Sequence, residues 1–263
     1  MNSSRSAIVT VAFGHSIERL DHTFTSFTLN RGVPLHAFII GRELPKRRME
    51  NIEYHLVAPI PDFSHPLREI YFRRLELIDQ LDVDFALVVD SYDVLCLQPL
   101  PAFERLLGDA DLGACVEYQK GRTLLGSKYT ANFLNCGVMF WNVSRSRDIR
   151  SKIVQRGRSH FRTITDDQYC LNEVVHTQYA DRIRLLPCHY NYRLDIPKTI
   201  NCLDGIKIYH HPWCIDAAKK LLPVKAVAEL ESLPQDSQKL TKNEMFRRRM
   251  KNRAMLWLDS YFL

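Results

Sequence analysis

Short apolar runs alternate with longer amphipathic stretches along the first half of the chain. Runs rich in β-branched residues predict strands at 7–13, 35–40, 52–58 and 85–89. Between them, apolar residues at helical spacing predict one helix over 17–29 and another from Pro66 onward, where proline suits the first helical turn. Strands that alternate with helices in this way predict right-handed crossovers and a mostly parallel sheet with helices on both faces.

The second half continues with strands and helices and then becomes polar and basic. We expect strands at 112–118, 132–142, 182–186 and 206–209, and helices at 100–107, at 148–161 and from Asp166. A polar, glycine-containing connection at 121–129 separates two of these elements. The predicted fold class is therefore α/β, with one large domain over 1–221 and a C-terminal helical extension over 222–263.

The apolar run at 85–89 ends in two acidic residues, Asp90 and Asp93. At the carboxyl edge of a parallel sheet, such residues lie where ligands bind. Two carboxylates this close together predict an oxygen-ligand site for a divalent cation such as Mg²⁺ or Mn²⁺. The alternative is a polar turn after a strand, because Asp and Ser are common in turns.

The composition is that of an ordinary globular protein, and its 263 residues are enough to bury a full core. Seven cysteines without a CxxC pair predict reduced thiols in a cytosolic protein. No uncharged apolar run is long enough to cross a membrane, and the amino terminus leads directly into a strand-like segment without a signal core. We therefore expect a cytoplasmic protein whose mature chain starts at this terminus.

The positive charge is concentrated near the carboxyl terminus. The net charge is +6, and the segment 242–253 holds six Lys or Arg residues against one Glu. Apolar residues of the same tail fall four or seven positions apart, at Phe246, Met250, Trp257 and Tyr261. A basic amphipathic helix favours peripheral attachment to an anionic membrane surface, although its apolar stripe could equally pack on the main domain. The rest of the chain is nearly neutral and carries no nucleic-acid motif, so we expect no nucleic-acid partner.

Four segments, taken in order, resemble the GT-A glycosyltransferases, which transfer a sugar from a nucleotide diphosphate. VVDSYDV at 88–94 resembles their Asp-containing metal motif, most closely its DxxD form in the glycosyltransferase domain of collagen lysyl hydroxylases. Arg74 precedes Asp90 by sixteen residues, where glycogenin, lipopolysaccharide galactosyltransferases and other members of glycosyltransferase family 8 place a basic donor-binding residue. FLNCGVMFWNVS at 133–144 and TDDQYCLN at 165–172 resemble two further motifs, with Cys136 in place of a serine.

The resemblance implies a metal centre that binds the diphosphate of the donor. Asp90 and Asp93 would hold Mn²⁺ or Mg²⁺, and a histidine after the last strand would complete the set of ligands. His210 in IYHHP is in the matching place, with His211 as the alternative, and the glycine that usually follows is missing. An ordinary structural histidine is the third interpretation. Lys219 or Lys220 would correspond to a diphosphate-binding lysine.

The resemblance also implies a binding site for the rest of the donor. Arg74 would face the diphosphate or the sugar, or else form a surface ion pair on its helix. The remaining donor-site positions are Asn135 and Gly137 beside the sugar, Ala12 and Phe13 beside the nucleobase, and Asp166, Asp167 and Gln168 beneath the anomeric carbon. Carboxylates there could stabilise an oxocarbenium-like sugar or act as a base. Acids in a first helical turn also favour the helix dipole, which is the structural alternative for Asp166 and Asp167.

The function implied is a metal-dependent hexosyltransferase with a UDP-sugar donor, glucose or galactose, and retention of anomeric configuration. Its acceptor would be a hydroxyl of a glycan, a lipid-linked glycan or a protein, at a site built from variable loops. Nucleotidyl transfer is disfavoured, because the first strand is followed by GHSIERL and not by a glycine-rich phosphate loop. A second function class is a non-catalytic adaptor that keeps the fold and binds a membrane or protein through the basic tail.

Overall fold

The structure, a computed structural model, describes residues 4–13, 17, 20, 23–59, 66–91, 93–117, 133–160, 166–193 and 205–210, with backbone alone at 66–70, 160 and 166. Among these residues, no helix has both the length and the apolar character needed to cross a membrane. The predicted connection at 121–129, the extension at 222–263 and its basic tail lie outside these ranges. The boundary near residue 222 therefore stays a prediction.

Seven strands form the main sheet. They are β1 (Ser6–Ala12), β2 (Leu35–Ile40), β3 (Ile52–Val57), β4 (Phe85–Val89), β6 (Leu112–Val116), β7 (Leu134–Asn142) and β8 (Ile183–Leu186), with β5 (Val94–Cys96) lying in a second sheet. Their order across the sheet is β3-β2-β1-β4-β7-β6-β8. Four of the six pairings are parallel, and β7 runs antiparallel to both of its neighbours. The α/β prediction of a mostly parallel sheet is confirmed.

Helices cover both faces of this sheet, as predicted. One face packs against α1 (Pro66–Leu77), α3 (Arg147–His160) and α4 (Asp166–Gln178). The other face packs against α2 (Phe103–Leu107) and a 3-10 helix at Phe24–Leu29. Strands buried on both faces need apolar side chains at successive positions, which explains the continuous β-branched runs of the sequence.

Gly157 of α3 fixes how closely α3 and α1 approach each other. A Cβ at this position would lie 2.1 Å from the Phe72 ring of α1, so a larger residue would push the two helices apart. Phe72 is fully buried.

The predicted helix at 17–29 is helical at its described residues and ends as a 3-10 helix at Phe24–Leu29. The predicted strands at 182–186 and 206–209 form as β8 and β9 (Ile208–His210). The expectation that these two strands pair with each other is wrong, because they lie in different sheets. β8 pairs with β6, whereas β9 pairs with β5, a strand too short to show a period in the sequence.

Candidate active site

The acidic pair lies at the carboxyl end of β4, as predicted for a ligand-binding edge. The backbone N–H of Asp90 donates to the carbonyl of Gly137 at 2.9 Å, which extends the pairing of β4 with β7 by one step. Three residues later Asp93 is 5% exposed and immediately precedes β5. Both carboxylates therefore lie directly at the end of a strand, Asp90 just after β4 and Asp93 just before β5.

His210 joins this pair through the second, two-stranded sheet. It is the last residue of β9 and lies opposite Val94 in the antiparallel register, next to Asp93. Its Nε2 lies 3.6 Å from a carboxylate oxygen of Asp90 and 3.7 Å from one of Asp93. One ligand atom from each of the three residues lies within 4.8 Å of the others. The structure thus brings together the three predicted metal ligands, and His211 lies outside the described residues.

A chain of hydrogen bonds fixes the tautomer of His210. The backbone N–H of Gly137 donates to Asn135 Oδ1 at 2.9 Å, which defines the orientation of that amide. Asn191 donates through Nδ2 to the same oxygen at 2.8 Å, so its own Oδ1 faces His210 Nδ1, 2.9 Å away. Because an amide oxygen only accepts, Nδ1 carries a hydrogen and Nε2 is the atom that can bind a metal.

Gly137 makes room for the three ligands. A Cβ built on it would lie 2.2 Å from His210 Cε1 and 2.8 Å from Asp90 Oδ2. The sequence predicted that glycine admits a close approach here, with the donor sugar as the approaching group. In the structure the groups that approach are the side chains of Asp90 and His210, and contact with a sugar stays a prediction.

Arg74 connects the acidic pair to helix α4. Its guanidinium donates to Asp90 Oδ1 at 2.5 Å and to Asp167 Oδ2 at 3.0 Å, and only 3% of the side chain is exposed. It also lies over the Tyr71 ring, 5.6 Å from the centroid. The alternative of a surface ion pair on its own helix is wrong, because the partners lie on other elements and Arg74 is buried.

These charges shift the proton affinities within the site. Burial raises the pKa of Asp90, but the positive charge of Arg74 and the contact with His210 outweigh burial, so this pKa lies below its ordinary value. Burial lowers the pKa of His210. Hydrogen bonding to Asp90 and Asp93 and attraction by their negative charges outweigh burial and raise this pKa to about 9. Asp90 and Asp93 thus favour a positive charge beside them, on the side of His210 where a divalent cation would bind.

Gln168 and Asp167 lie at the start of α4, beside the same end of the sheet. Asp167 is 8% exposed and contacts Arg74, while the backbone N–H of Cys136 donates to Gln168 Oε1 at 3.4 Å. The Gln168 amide nitrogen donates to Glu117. Arg74 thus joins Asp167 to Asp90, and Gln168 bonds to β7 next to Gly137, while the predicted contact of both residues with a sugar stays a prediction.

The sequence analysis missed two residues of the site, Glu117 and Asn191. Glu117 accepts hydrogen bonds from Asn135 and Gln168 and pairs with Arg193 at 3.2 Å. Burial raises its pKa, but Arg193 and these hydrogen bonds lower it below the ordinary value. Glu117 is the first acid after a buried strand, which is the signal that identified Asp90. Asn191 follows a short 3-10 helix and carries no comparable signal.

For the other predicted site residues, the structure provides little or no contact information. Ala12 ends β1 with no exposed side chain, and Phe13 packs against the core, so contact between Ala12 and a nucleobase would have to use the backbone. Asp166 begins α4, and its side chain is outside the described set. Lys219 and Lys220 lie outside the described residues altogether. The roles of these residues stay predictions.

The donor set fits a divalent cation. Two carboxylates and one imidazole suit Mn²⁺ or Mg²⁺, and a Cβ at Gly137 would fill the space that the ligands share. Asn191 acts as the outer hydrogen-bond partner that metal-binding histidines usually have. The arrangement can therefore bind a cation and, through it, an anionic group at the carboxyl edge of the sheet.

No model of a protein family matches the sequence, and no curated protein sequence matches it. Solved structures do match the fold. A complex of the galactosyltransferase LgtC with donor and acceptor sugar analogues aligns with 89% of this chain and 98% of that chain, with a TM-score of 0.57 and 18% identity. An active-site mutant of LgtC, with glutamate in place of glutamine, covers 88% and 98% with a TM-score of 0.56 and 17% identity. The predicted GT-A fold is confirmed.

Proposed function

We propose that this chain is a divalent-metal-dependent glycosyltransferase that moves a hexose from a UDP-sugar to a hydroxyl of an acceptor. The observation that carries the proposal is the cluster of Asp90, Asp93 and His210 at the carboxyl edge of a GT-A sheet. Breaking the bond between a sugar and a diphosphate leaves negative charge on the leaving group, and such a cluster can bind the cation that this charge requires.

Asp90, Asp93 and His210 would hold Mn²⁺ or Mg²⁺, which supplies Lewis-acid stabilisation to the departing diphosphate. The protein's own residues prepare this site. Arg74 binds one oxygen of Asp90 and leaves Oδ2 on the side of His210. Asn191 keeps a hydrogen of His210 on Nδ1, so that Nε2 is the nitrogen that would face the cation. Ligands held in this way need little rearrangement when they bind a cation.

Asp167 and Gln168 are the residues we assign to the sugar, together with Asp166. Their position at the start of α4, joined to the acidic pair by Arg74, supports this assignment. A carboxylate near the anomeric carbon stabilises the positive charge that develops on the sugar ring. Asn135 and Glu117 would orient Gln168 and the neighbouring backbone, because both belong to its hydrogen-bond network.

The identity of the donor rests on the resemblance. Family 8 enzymes use UDP-sugars and retain the anomeric configuration, and the structurally similar LgtC is a galactosyltransferase whose complex contains donor and acceptor sugar analogues. We therefore propose UDP-galactose or UDP-glucose as donor and retention as the stereochemical outcome. Ala12, Phe13 and Lys219 are the further donor-binding positions that this proposal includes.

The acceptor side of the proposal depends on segments outside the described residues. We propose a glycan, a lipid-linked glycan or a protein hydroxyl as acceptor. We also propose a cytoplasmic enzyme that attaches peripherally to an anionic membrane through the basic tail. The concentration of Lys and Arg at 242–253 supports this part, since clustered basic residues attract anionic lipids.

The test is a thermal-shift panel with UDP, GDP, CDP and TDP, each with Mn²⁺ or with a chelator. We expect UDP with Mn²⁺ to raise the melting temperature of the wild type, because a ligand that binds only the native state stabilises it. Asp90→Asn should lose this shift, and the control Asp82→Asn, at a side chain that is 90% exposed, should keep it. No shift with any nucleotide would overturn the proposal and favour the adaptor function.

A further inference from the structure

A second group of metal-ligating side chains lies at the edge of the main sheet. His36 Nδ1 and His55 Nε2 face each other at 2.9 Å. One oxygen of the Glu53 carboxylate lies 3.5 Å from the nitrogen of His36, and the other lies 3.5 Å from that of His55. This cluster shares no residue with the site at Asp90.

The backbone register sets this arrangement. In the parallel pairing of β2 with β3, His36 lies opposite Glu53 and Phe38 lies opposite His55. Residues two apart on a strand point to the same face, so all four side chains share one face of the sheet. The Phe38 ring stacks on His55 with centroids 4.6 Å apart, which orients that imidazole. His36 is 7% exposed and has little freedom to turn away.

The distances match those of a metal centre. Tetrahedral Zn²⁺, with bonds of about 2.0–2.1 Å, keeps its ligand atoms about 3.3 Å apart. The corresponding separations here are 2.9, 3.5 and 3.5 Å. We propose that His36, Glu53 and His55 form a second metal site, which binds Zn²⁺ through two imidazole nitrogens and one carboxylate.

The ligand types separate this site from the one at Asp90. Two imidazoles favour Zn²⁺ over Mg²⁺, whereas carboxylate-rich sites favour Mg²⁺ or Mn²⁺. The Glu53 side chain is 63% exposed, so water can take the fourth position of the zinc. β3 is the outermost strand of the sheet, and a metal bound to both β2 and β3 would hold this edge in place.

The competing explanation is a pair of neutral imidazoles that share one hydrogen. That arrangement accounts for the distance of 2.9 Å between His36 Nδ1 and His55 Nε2. It leaves the Glu53 carboxylate, 3.5 Å from each nitrogen, without a part to play, whereas a cation bound by both rings would take this carboxylate as its third ligand. The position of Glu53 is therefore the feature that favours a metal ion.

The experiment is equilibrium dialysis of the metal-free, full-length protein against Zn²⁺, with excess Mg²⁺ present to compete for the oxygen ligands of the Asp90 site. His55→Gln and Glu53→Gln are the test variants, and circular dichroism verifies that each is folded. Glu50→Gln is the matched control, because it removes the same charge from an exposed position three residues from Glu53. Asp90→Asn serves to show that the two sites are separate.

We expect the wild type and Glu50→Gln to bind one more Zn²⁺ than His55→Gln, and Asp90→Asn to bind one more Zn²⁺ than the double variant Asp90→Asn/His55→Gln. Glu53→Gln should bind that ion at least tenfold more weakly, and Zn²⁺ should raise the melting temperature of the wild type but not of His55→Gln. Equal Zn²⁺ binding by the wild type and His55→Gln would overturn the proposal. Absence of Zn²⁺ binding by the wild type would overturn it as well and would favour the shared hydrogen. None of these results depends on glycosyltransferase activity.

Discussion

The Nη2 atom of Arg74 lies 3.0 Å from a carboxylate oxygen of Asp167, a residue 93 positions further along the chain. The other terminal nitrogen of Arg74 binds Asp90. One buried guanidinium thus joins a metal-ligand candidate at the end of β4 to a sugar-binding candidate at the start of α4. Because both carboxylates depend on the same cation, a change at Arg74 should affect the fold and both parts of the site.

Arg74→Met should destabilise the protein strongly, because it leaves two largely buried carboxylates without their shared cation. We expect the free energy of unfolding to fall by about 3 kcal/mol. Arg74→Lys should lower the free energy of unfolding by less, since an ammonium keeps the positive charge but cannot bind two carboxylates through separate nitrogen atoms. Urea unfolding with a chelator present measures both. The control is the neighbouring variant Arg73→Met, which removes an ion pair with Glu76 at 3.8 Å. It should lower the free energy of unfolding by about 1 kcal/mol or less. Equal losses for Arg73→Met and Arg74→Met would contradict the assignment.

Asp93→Asn should weaken UDP binding only when Mn²⁺ is present. An amide is a poorer ligand than a carboxylate, so we expect the affinity measured by calorimetry with Mn²⁺ to fall by a factor of about ten or more. In a chelator the variant and the wild type should bind UDP alike. Asp82→Asn is the control for loss of a carboxylate at the surface. Equal UDP affinity of Asp93→Asn and the wild type in Mn²⁺ would remove Asp93 from the metal centre.

Gly137→Ala should disrupt the site through a single methyl group. The added Cβ would lie 2.2 Å from His210 Cε1, and His210 is 2% exposed, so its ring has little room to move. We expect a loss of about 1–3 kcal/mol in stability, typical of overpacking, together with loss of the Mn²⁺-dependent UDP shift. Gly205→Ala is the control, because a Cβ there meets no atom within 4 Å. A normal thermal shift in Gly137→Ala would show that the cation binds elsewhere.

Glu117→Gln should change the acid stability of the protein. The pKa of Glu117 in the folded state lies below its ordinary value, chiefly because Arg193 and its hydrogen bonds outweigh burial. Its charged form therefore stabilises the fold above the unfolded-state pKa of about 4.3, and this contribution disappears as the pH falls through the lower folded-state pKa.

The free energy of unfolding of the wild type should exceed that of Glu117→Gln by about 2 kcal/mol at pH 7, and the difference should narrow as the pH falls below the unfolded-state pKa of about 4.3. Unfolding by urea across this pH range measures it. Glu173→Gln, which breaks a partly exposed pair with Arg156, should have a smaller effect at pH 7. A difference that stays constant as the pH falls from 7 into the acid unfolding range would argue against a stabilising charge at Glu117.

Deletion of the chain from Lys242 should weaken binding to vesicles that contain phosphatidylserine. The segment 242–253 carries six basic residues, and each basic residue near an anionic surface contributes about 1 kcal/mol. Serine in place of the three arginines at 247–249 is the matched variant, because it keeps the length and the apolar residues. Flotation with anionic and neutral vesicles measures binding. Equal flotation of the wild type and both variants would exclude this tail as the membrane anchor.

The strands, the larger helices and the acidic pair could be predicted from the amino-acid sequence alone. Burial on both faces of a parallel sheet demands continuous apolar runs, and these are local and readable. Asp90 and Asp93 were identifiable because they end such a run, and the resemblance to GT-A enzymes added Arg74, Gln168 and His210. Glu117, like Asp90, is the first acidic residue after a buried strand, so the same pattern could have identified it.

Which of these side chains contact one another follows from the three-dimensional fold and could not be predicted from local patterns. The pairing of β5 with β9 brings His210 to Asp93, and the register of β2 with β3 brings His36, Glu53 and His55 together. Neither pairing of strands produces a periodic pattern of apolar and polar residues in the sequence. Local patterns of apolar residues indicate which residues are buried. Contacts between separate segments depend on strand order and register, and these are determined by the packing of the whole chain.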